Sequence, residues 1–183
     1  MADFIRLKHL DGDTCTARTF NKQRRLAKVV QVYDGDTITV VTRLDSTEQF
    51  RQYKLRLVGL DTPELKPSQA TPHRDLHAQA GAAVRDYLLA QMPIGSLVEI
   101  DFVKEEKFGR LLGTVWLIRE IGAPECFFYC CSTDLLYYRT DNINQWLLNR
   151  GYAKPFTGKE SKTEFSRAEL ETIVCGRRAG ELV

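Results

Sequence analysis

No apolar run in these 183 residues approaches the length that spans a bilayer, so a transmembrane helix is not expected. The first ten residues also lack the uninterrupted apolar stretch of a secretory signal, because Asp3, Arg6 and Lys8 break it up. The five cysteines (Cys15, Cys126, Cys130, Cys131 and Cys175) are odd in number and follow no regular framework. That argues against a disulfide-stapled secreted scaffold and for a reducing, intracellular compartment. Cys126, Cys130 and Cys131 crowd together, but no histidine or second cysteine pair follows at ligand spacing, so buried thiols in a strand are expected there rather than zinc. Net charge is scarce as well: a formal +2 does not by itself announce a nucleic-acid binder. The charge is uneven, however, with seven Lys or Arg against three Asp in residues 1–33. A solvated face is the ordinary reading of such a run, and phosphate contact is the alternative.

What is present is ordinary globular composition, 43% apolar and 27% charged, in a chain long enough for one sizeable core. Leu26 to Tyr33 and Thr37 to Leu44 read as two strands joined by the turn signal Asp34-Gly35. Phe50 to Leu60 reads as a third strand, stopped by Pro63. From His73 to about Gln91, Leu76, Ala80, Ala83, Val84, Tyr87 and Leu88 share one helical face, and Pro93 and Gly95 end the helix. Ser96 to Val103 and Leu111 to Arg119 are two further strands. Asp141 is the expected N-cap of a short helix over 142–150, with Ile143, Trp146 and Leu147 inward and Gly151 as its stop. A last helix is expected from Thr163 to Cys175, with Phe165, Leu170 or Ala168, Ile173 and Val174 as its apolar positions. Periodicity gives an α+β chain; five strands interrupted by one long helix fit a small OB-type Greek-key barrel with about three helices.

Chemistry concentrates in three segments: Asp34-Gly35-Asp36-Thr37, Arg56 to Glu64 through Asp61-Thr62-Pro63, and Glu106-Lys107-Phe108-Gly109-Arg110. Carboxylates can hold a hard cation while two guanidinium forks grip a phosphate, the minimum equipment for metal-assisted phosphodiester cleavage. Taken singly, each residue has a structural role available: Asp34 and Asp36 as turn formers, Asp61 in an Asx turn before Pro63, Arg56 and Arg110 as surface charges. The tetrapeptide Asp-Gly-Asp-Thr occurs twice, and the first copy, Asp11 to Thr14, is expected to turn an N-terminal hairpin from Ile5 to Phe20. His73 and His77 lie four apart, but no zinc-protease glutamate stands between them, so exposed histidines on a polar helix face are expected.

In their order and spacing these segments, together with Asn149-Arg150-Gly151-Tyr152-Ala153-Lys154, resemble the staphylococcal nuclease (thermonuclease-like) family. The resemblance implies an OB-fold domain over 26–176, preceded by an N-terminal extension (1–25) and followed by a short tail (177–183). It implies calcium bound by the side chains of Asp36 and Asp61 and the backbone carbonyl of Thr62, with Asp34 behind them. Arg56 and Arg110 are then the phosphate-binding arginines, and Glu64 accepts a proton from the attacking water or positions it. Implied partners are single-stranded or unpaired DNA or RNA, cleaved at the 5′ side of the phosphate to leave 3′-phosphates. Neither a membrane nor an obligate protein partner is implied.

Departures from the family pattern are visible. Phe108 stands where the family commonly has an aromatic hydroxyl, so a base can stack there without a hydroxyl-to-phosphate bond. Pro155 and Phe156 follow the Gly151-Tyr152-Ala153-Lys154 segment in place of tyrosines, leaving Phe156, with Lys107 and Phe108, as candidate substrate contacts. Ile121 to Thr140 reads as an insertion whose aromatic residues are expected to cover the barrel, with an interface as the alternative. Two functions compete: a nuclease of low sequence specificity, and a non-catalytic OB-fold nucleic-acid-binding module. The presence of Asp36, Arg56, Asp61, Glu64 and Arg110 together favours the enzyme, since a binding module has no need of all five.

Overall fold

A computed structural model describes residues 23–44, 49–105, 109–120, 137–158 and 161–178. The strands are β1 (Gln23–Val32), β2 (Thr37–Thr42), β3 (Arg51–Leu57), β4 (Leu60–Asp61), β5 (Leu97–Glu105), β6 (Leu111–Glu120), β7 (Tyr137–Asn142) and β8 (Lys154–Pro155). The helices are α1 (Arg74–Gln91), α2 (Ile143–Asn149) and α3 (Arg167–Arg178). The sheet runs β3-β2-β1-β5-β6, and β6 returns to pair in parallel with β3 through Leu55 with Leu111, Arg56 with Leu112 and Leu57 with Gly113. This closes the expected five-stranded OB-type barrel.

The core follows from strand alternation, with two irregularities. Ile38 and Val40 of β2, Leu55 and Leu57 of β3, and Val98, Ile100 and Phe102 of β5 are all buried at every second position. In β1 the buried set changes parity, from Ala27 and Val29 to Val32, because the register shifts between Val29 and Gln31. Such a bulge bends the strand, as a small barrel requires. Gly113 allows a close approach inside the barrel: a Cβ there would lie 2.9 Å from Ile100 Cγ2 and 3.1 Å from the Asp101 carbonyl oxygen. The predicted face of α1 is buried through Ala80, Ala83, Val84, Tyr87 and Leu88, and Gly81 joins it. No helix among the described residues is long and apolar enough to cross a membrane.

Several boundaries differ from the sequence expectation. The third strand does not run to Leu60: it breaks at Gly59, whose φ of 84° lies in the left-handed region, and resumes as β4, which pairs with β8. Residues 137–140, expected within the insertion, and 141–142, expected at the start of the short helix, together form β7, antiparallel to the far half of β6. The α2 cap is Asn142, not Asp141, since the Asn142 side chain accepts a bond from Gln145 N–H at 3.1 Å.

α3 begins four residues later than expected. Ser166 and Glu169 form a capping box: Ser166 N–H donates to Glu169 Oε2 at 2.7 Å, and Glu169 N–H donates to Ser166 Oγ at 3.4 Å. Residues 161–166 therefore stay outside the helix. His77 is not an exposed histidine either: it meets Phe165 edge-on at 5.9 Å, and burial lowers its pKa. The expected N-terminal hairpin, Cys126, Cys130 and Cys131, the aromatic cover at 127–129 and the 179–183 end of the tail lie outside the described residues. Of the basic run, Arg24 bonds Asp101 at 3.0 Å and Arg25 bonds the Leu44 carbonyl, so two of its charges serve the barrel's own contacts.

Candidate active site

Two turns bring the acidic residues together. Between β1 and β2 the chain reverses over residues 34–36, closed by Tyr33 N–H to the Thr37 carbonyl at 2.9 Å. Asp34 Oδ1 accepts Asp36 N–H at 3.1 Å, an Asx-type turn that fixes where Asp36 stands. Leu57 N–H then bonds the Asp36 carbonyl at 2.8 Å, and Thr37 pairs with Arg56. This sets Asp36 beside Arg56, which points away from the core between buried Leu55 and Leu57. The break at Gly59 turns the chain back so that β4 delivers Asp61, held by its pairing with Lys154.

The backbone is tightened from two sides. A Cβ on Gly35 would sit 2.7 Å from Thr62 Oγ1, and one on Gly81 would sit 2.7 Å from the Pro63 carbonyl oxygen and 2.8 Å from the Glu64 carbonyl carbon. Glycine at both positions lets the first turn and α1 close on the segment that carries Thr62 and Glu64. Asn144 holds the turn at Val58 and Gly59 from within the fold. Its Nδ2 donates to the Val58 carbonyl at 2.9 Å and its Oδ1 accepts Val115 N–H at 3.0 Å.

The result is a cleft of about 190 Å³ lined by Asp34, Asp36, Arg56, Asp61, Thr62 and Glu64 together with Lys162. Arg56 Nη2 lies 2.8 Å from Asp36 Oδ2 and 2.9 Å from Asp61 Oδ1, so one guanidinium nitrogen bridges two buried carboxylates. Asp36 Oδ1 also accepts the Thr37 hydroxyl at 2.8 Å. The Asp36 carboxyl is nevertheless pushed up to about 6, because burial outweighs the attraction of Arg56, and the charges of Asp34 and Asp61 add to the upward shift.

This donor set can be tested against a metal ion. Sharing one donor nitrogen brings the Asp36 and Asp61 oxygens within reach of a single cation, and both carboxylates are buried beside that one guanidinium. Among the described residues, no three His, Cys, Asp or Glu side chains gather tightly enough to enclose a metal by themselves. A fitting ion is therefore one that accepts two carboxylates and fills its remaining positions with backbone oxygen and water. An all-oxygen set of that kind suits a hard cation.

The family model for staphylococcal nuclease homologues matches residues 54–173, most of the chain. The chain belongs to that family. Within it, the thermonuclease of Staphylococcus hyicus is 35% identical over 113 residues, which is 60% of this chain and 59% of that protein. Protein ParB of Escherichia coli is 28% identical over 155 residues, 84% of this chain and 70% of that protein. The chain thus matches less than two thirds of the thermonuclease's length. The family match begins inside β3, so Asp34 and Asp36 precede it while Arg56, Asp61, Thr62 and Glu64 fall within it.

Not every expected site residue joins the cleft. Arg110 lies half-buried just before β6 and does not line the cleft. Phe156 follows β8 with its N–H on the Gly59 carbonyl at 3.1 Å, and also stands outside the cleft lining. Lys107 and Phe108 lie outside the described residues. Lys162 is the residue that sequence reasoning missed. Its Nζ is 2.9 Å from Asp61 Oδ1 and 3.3 Å from Glu64 Oε1. Burial works against its charge, but the bonds to Asp61 and Glu64 raise its pKa overall. The Ser166–Glu169 capping signal, which keeps Lys162 out of α3, was readable in the sequence; the contact itself, 98 residues from Glu64, had no local signal.

Proposed function

We propose that the protein is a calcium-dependent nuclease that hydrolyses phosphodiester bonds of DNA or RNA with low sequence specificity and leaves 3′-phosphates. The observation that carries this reading is the bridging of Asp36 and Asp61 by Arg56, with Glu64 lining the same cleft. Asp36, Asp61 and the Thr62 carbonyl are the residues assigned to hold calcium, and Asp34 supports Asp36. When bound, the ion supplies a Lewis acid beside the scissile phosphate and makes neighbouring water more acidic.

The remaining steps belong to the chain's own groups. Arg56 offers the N–H groups beyond its Nη2 to two phosphate oxygens at once. Arg110 supplies a second fork from the head of β6. Negative charge that builds on the phosphate oxygens is thereby met by donors already in place. Glu64 is exposed and stands beside Asp61 in the cleft lining, suited to orient the attacking water and take its proton. Lys107, Phe108 and Phe156 are assigned to the nucleic acid, with unpaired bases stacking on the two phenylalanines.

The test is incubation with single-stranded DNA, double-stranded DNA and RNA, in calcium, in magnesium or with excess chelator. Cleavage is expected in calcium and fastest on single strands, with magnesium supporting little, because a small ion that demands strict octahedral geometry suits a loose donor set poorly. Undiminished cleavage in chelator contradicts the calcium assignment. Binding without cleavage in every condition contradicts the enzyme and favours the non-catalytic OB-fold module.

A further inference from the structure

We propose that Lys162 is a positioning residue that sets the metal affinity of the cleft: its ammonium is a resident cation that holds Asp61 and Glu64 until a divalent ion displaces it. This inference rests on the reading of the cleft as a cation site and adds a competitor built into the chain.

The geometry points to competition at a single atom. Asp61 Oδ1 accepts both Arg56 Nη2 and Lys162 Nζ, each at 2.9 Å. That oxygen has two lone pairs and both are engaged, so an ion that binds at Oδ1 replaces one donor. Arg56 is the harder of the two to move, since it stands on β3, is 15% exposed and also grips Asp36. Lys162 is 45% exposed, lies on the non-helical stretch before α3 and reaches its partners on a flexible stem. A divalent ion added at Asp61 while both Arg56 and the ammonium remain would face strong repulsion from two positive charges at once. The ammonium is therefore the group that leaves, and a half-exposed ion pair of this kind is weak enough to be displaced.

The placement is built by neighbouring contacts. Lys154 Nζ donates to the Glu164 carbonyl at 2.7 Å and pairs with Glu169 at 2.9 Å, while the Ser166–Glu169 box fixes where α3 starts. These anchors hold the backbone two to four residues from Lys162, so the ammonium returns to the same carboxylates when no ion is present. Through Glu64, the resident cation also keeps the water-orienting carboxylate beside Asp61 before loading.

The test titrates the full chain with calcium chloride by calorimetry, using the parent, Lys162→Met and Lys162→Arg, with folding checked by circular dichroism. Lys162→Met is expected to bind calcium about three- to fivefold more tightly, the factor that corresponds to loss of a partly exposed ion pair. Lys162→Arg, which keeps the charge, is expected to return affinity towards the parent value. In the parent itself, acylation of Lys162 by an amine-reactive reagent, followed by mass spectrometry, is expected to accelerate as calcium saturates the site. Unchanged or weaker calcium binding by folded Lys162→Met overturns the proposal, as does acylation of Lys162 that ignores saturating calcium. If the methionine variant fails to fold, the acylation measurement on the parent decides. Calcium-dependent cleavage with both Lys162 measurements flat removes this inference alone, whereas a parent that binds no calcium removes it together with the proposed function.

Discussion

Asp36 carries an acidic proton more tightly than an ordinary aspartate because burial disfavours its charge. Its folded pKa of about 6 lies above the unfolded value, so the associated stability is complete below about pH 4 and is lost as pH rises through about 6. The stability of the calcium-free parent relative to Asp36→Asn is therefore expected to fall between those limits, as measured by urea denaturation; a flat difference contradicts the assignment. Arg56 makes a different kind of prediction, since its fork serves two carboxylates and the proposed phosphate together. Arg56→Lys keeps the charge but not the geometry, and kcat is expected to fall by about two orders of magnitude or more. Preserved turnover in steady-state kinetics removes that role. At this scale the sequence was readable where a residue sits inside a motif: Asp34, Asp36, Arg56, Asp61, Thr62 and Glu64 do share one cleft. Lys162 was not readable, because its partners are supplied by tertiary placement and no pattern around it names them. Nor did the motif show that Arg56 is held by the two acids it was expected to stand beside.

Helix α1 acts on the site through one residue without a side chain. Gly81 lets the helix press on the Pro63 and Glu64 backbone, where an added Cβ would meet atoms at 2.7 and 2.8 Å that cannot swing aside. Alanine in place of glycine ordinarily gains about 1 kcal/mol in a helix interior. Here the overlap is expected to reverse the sign, with Gly81→Ala destabilised by about 1–2 kcal/mol and turnover reduced about tenfold through displacement of Glu64. Stabilisation with unchanged kcat in chemical denaturation and kinetic assays contradicts this account. The elements themselves were largely legible, since the α1 face and the strand alternation follow directly from periodicity. Boundaries failed where a local device overrides periodicity: the left-handed Gly59 splits one strand, and the Ser166–Glu169 box delays α3. β7 was illegible for another reason, as residues 137–142 become a strand only through pairing with β6.

At the scale of the whole molecule, the barrel brings into one place residues that the chain holds far apart. Parallel pairing of β3 with β6 closes the sheet, and Asn144 ties α2 to both the Val58 turn and β6 across 86 and 29 residues. Strand count suggested this closure, but the register that sets Arg56 against Thr37 on one side and Leu112 on the other needed the structure. Of the two copies of Asp-Gly-Asp-Thr, the second forms the turn between β1 and β2. Asp36 lies 20 residues before Arg56, one strand and its return, whereas Asp13 lies 43 before it and outside the described residues. The central claim, that the Asp36–Arg56–Asp61 cleft is the calcium-dependent nuclease centre, is tested most directly by the initial rate of single-stranded DNA cleavage against calcium concentration. The measurement compares the parent with Asp36→Ala and Asp13→Ala, each checked for folding by circular dichroism. Asp36→Ala is expected to abolish calcium-dependent cleavage while Asp13→Ala stays within a few-fold of the parent. Full activity in folded Asp36→Ala, or equal loss in both folded variants, would contradict the account.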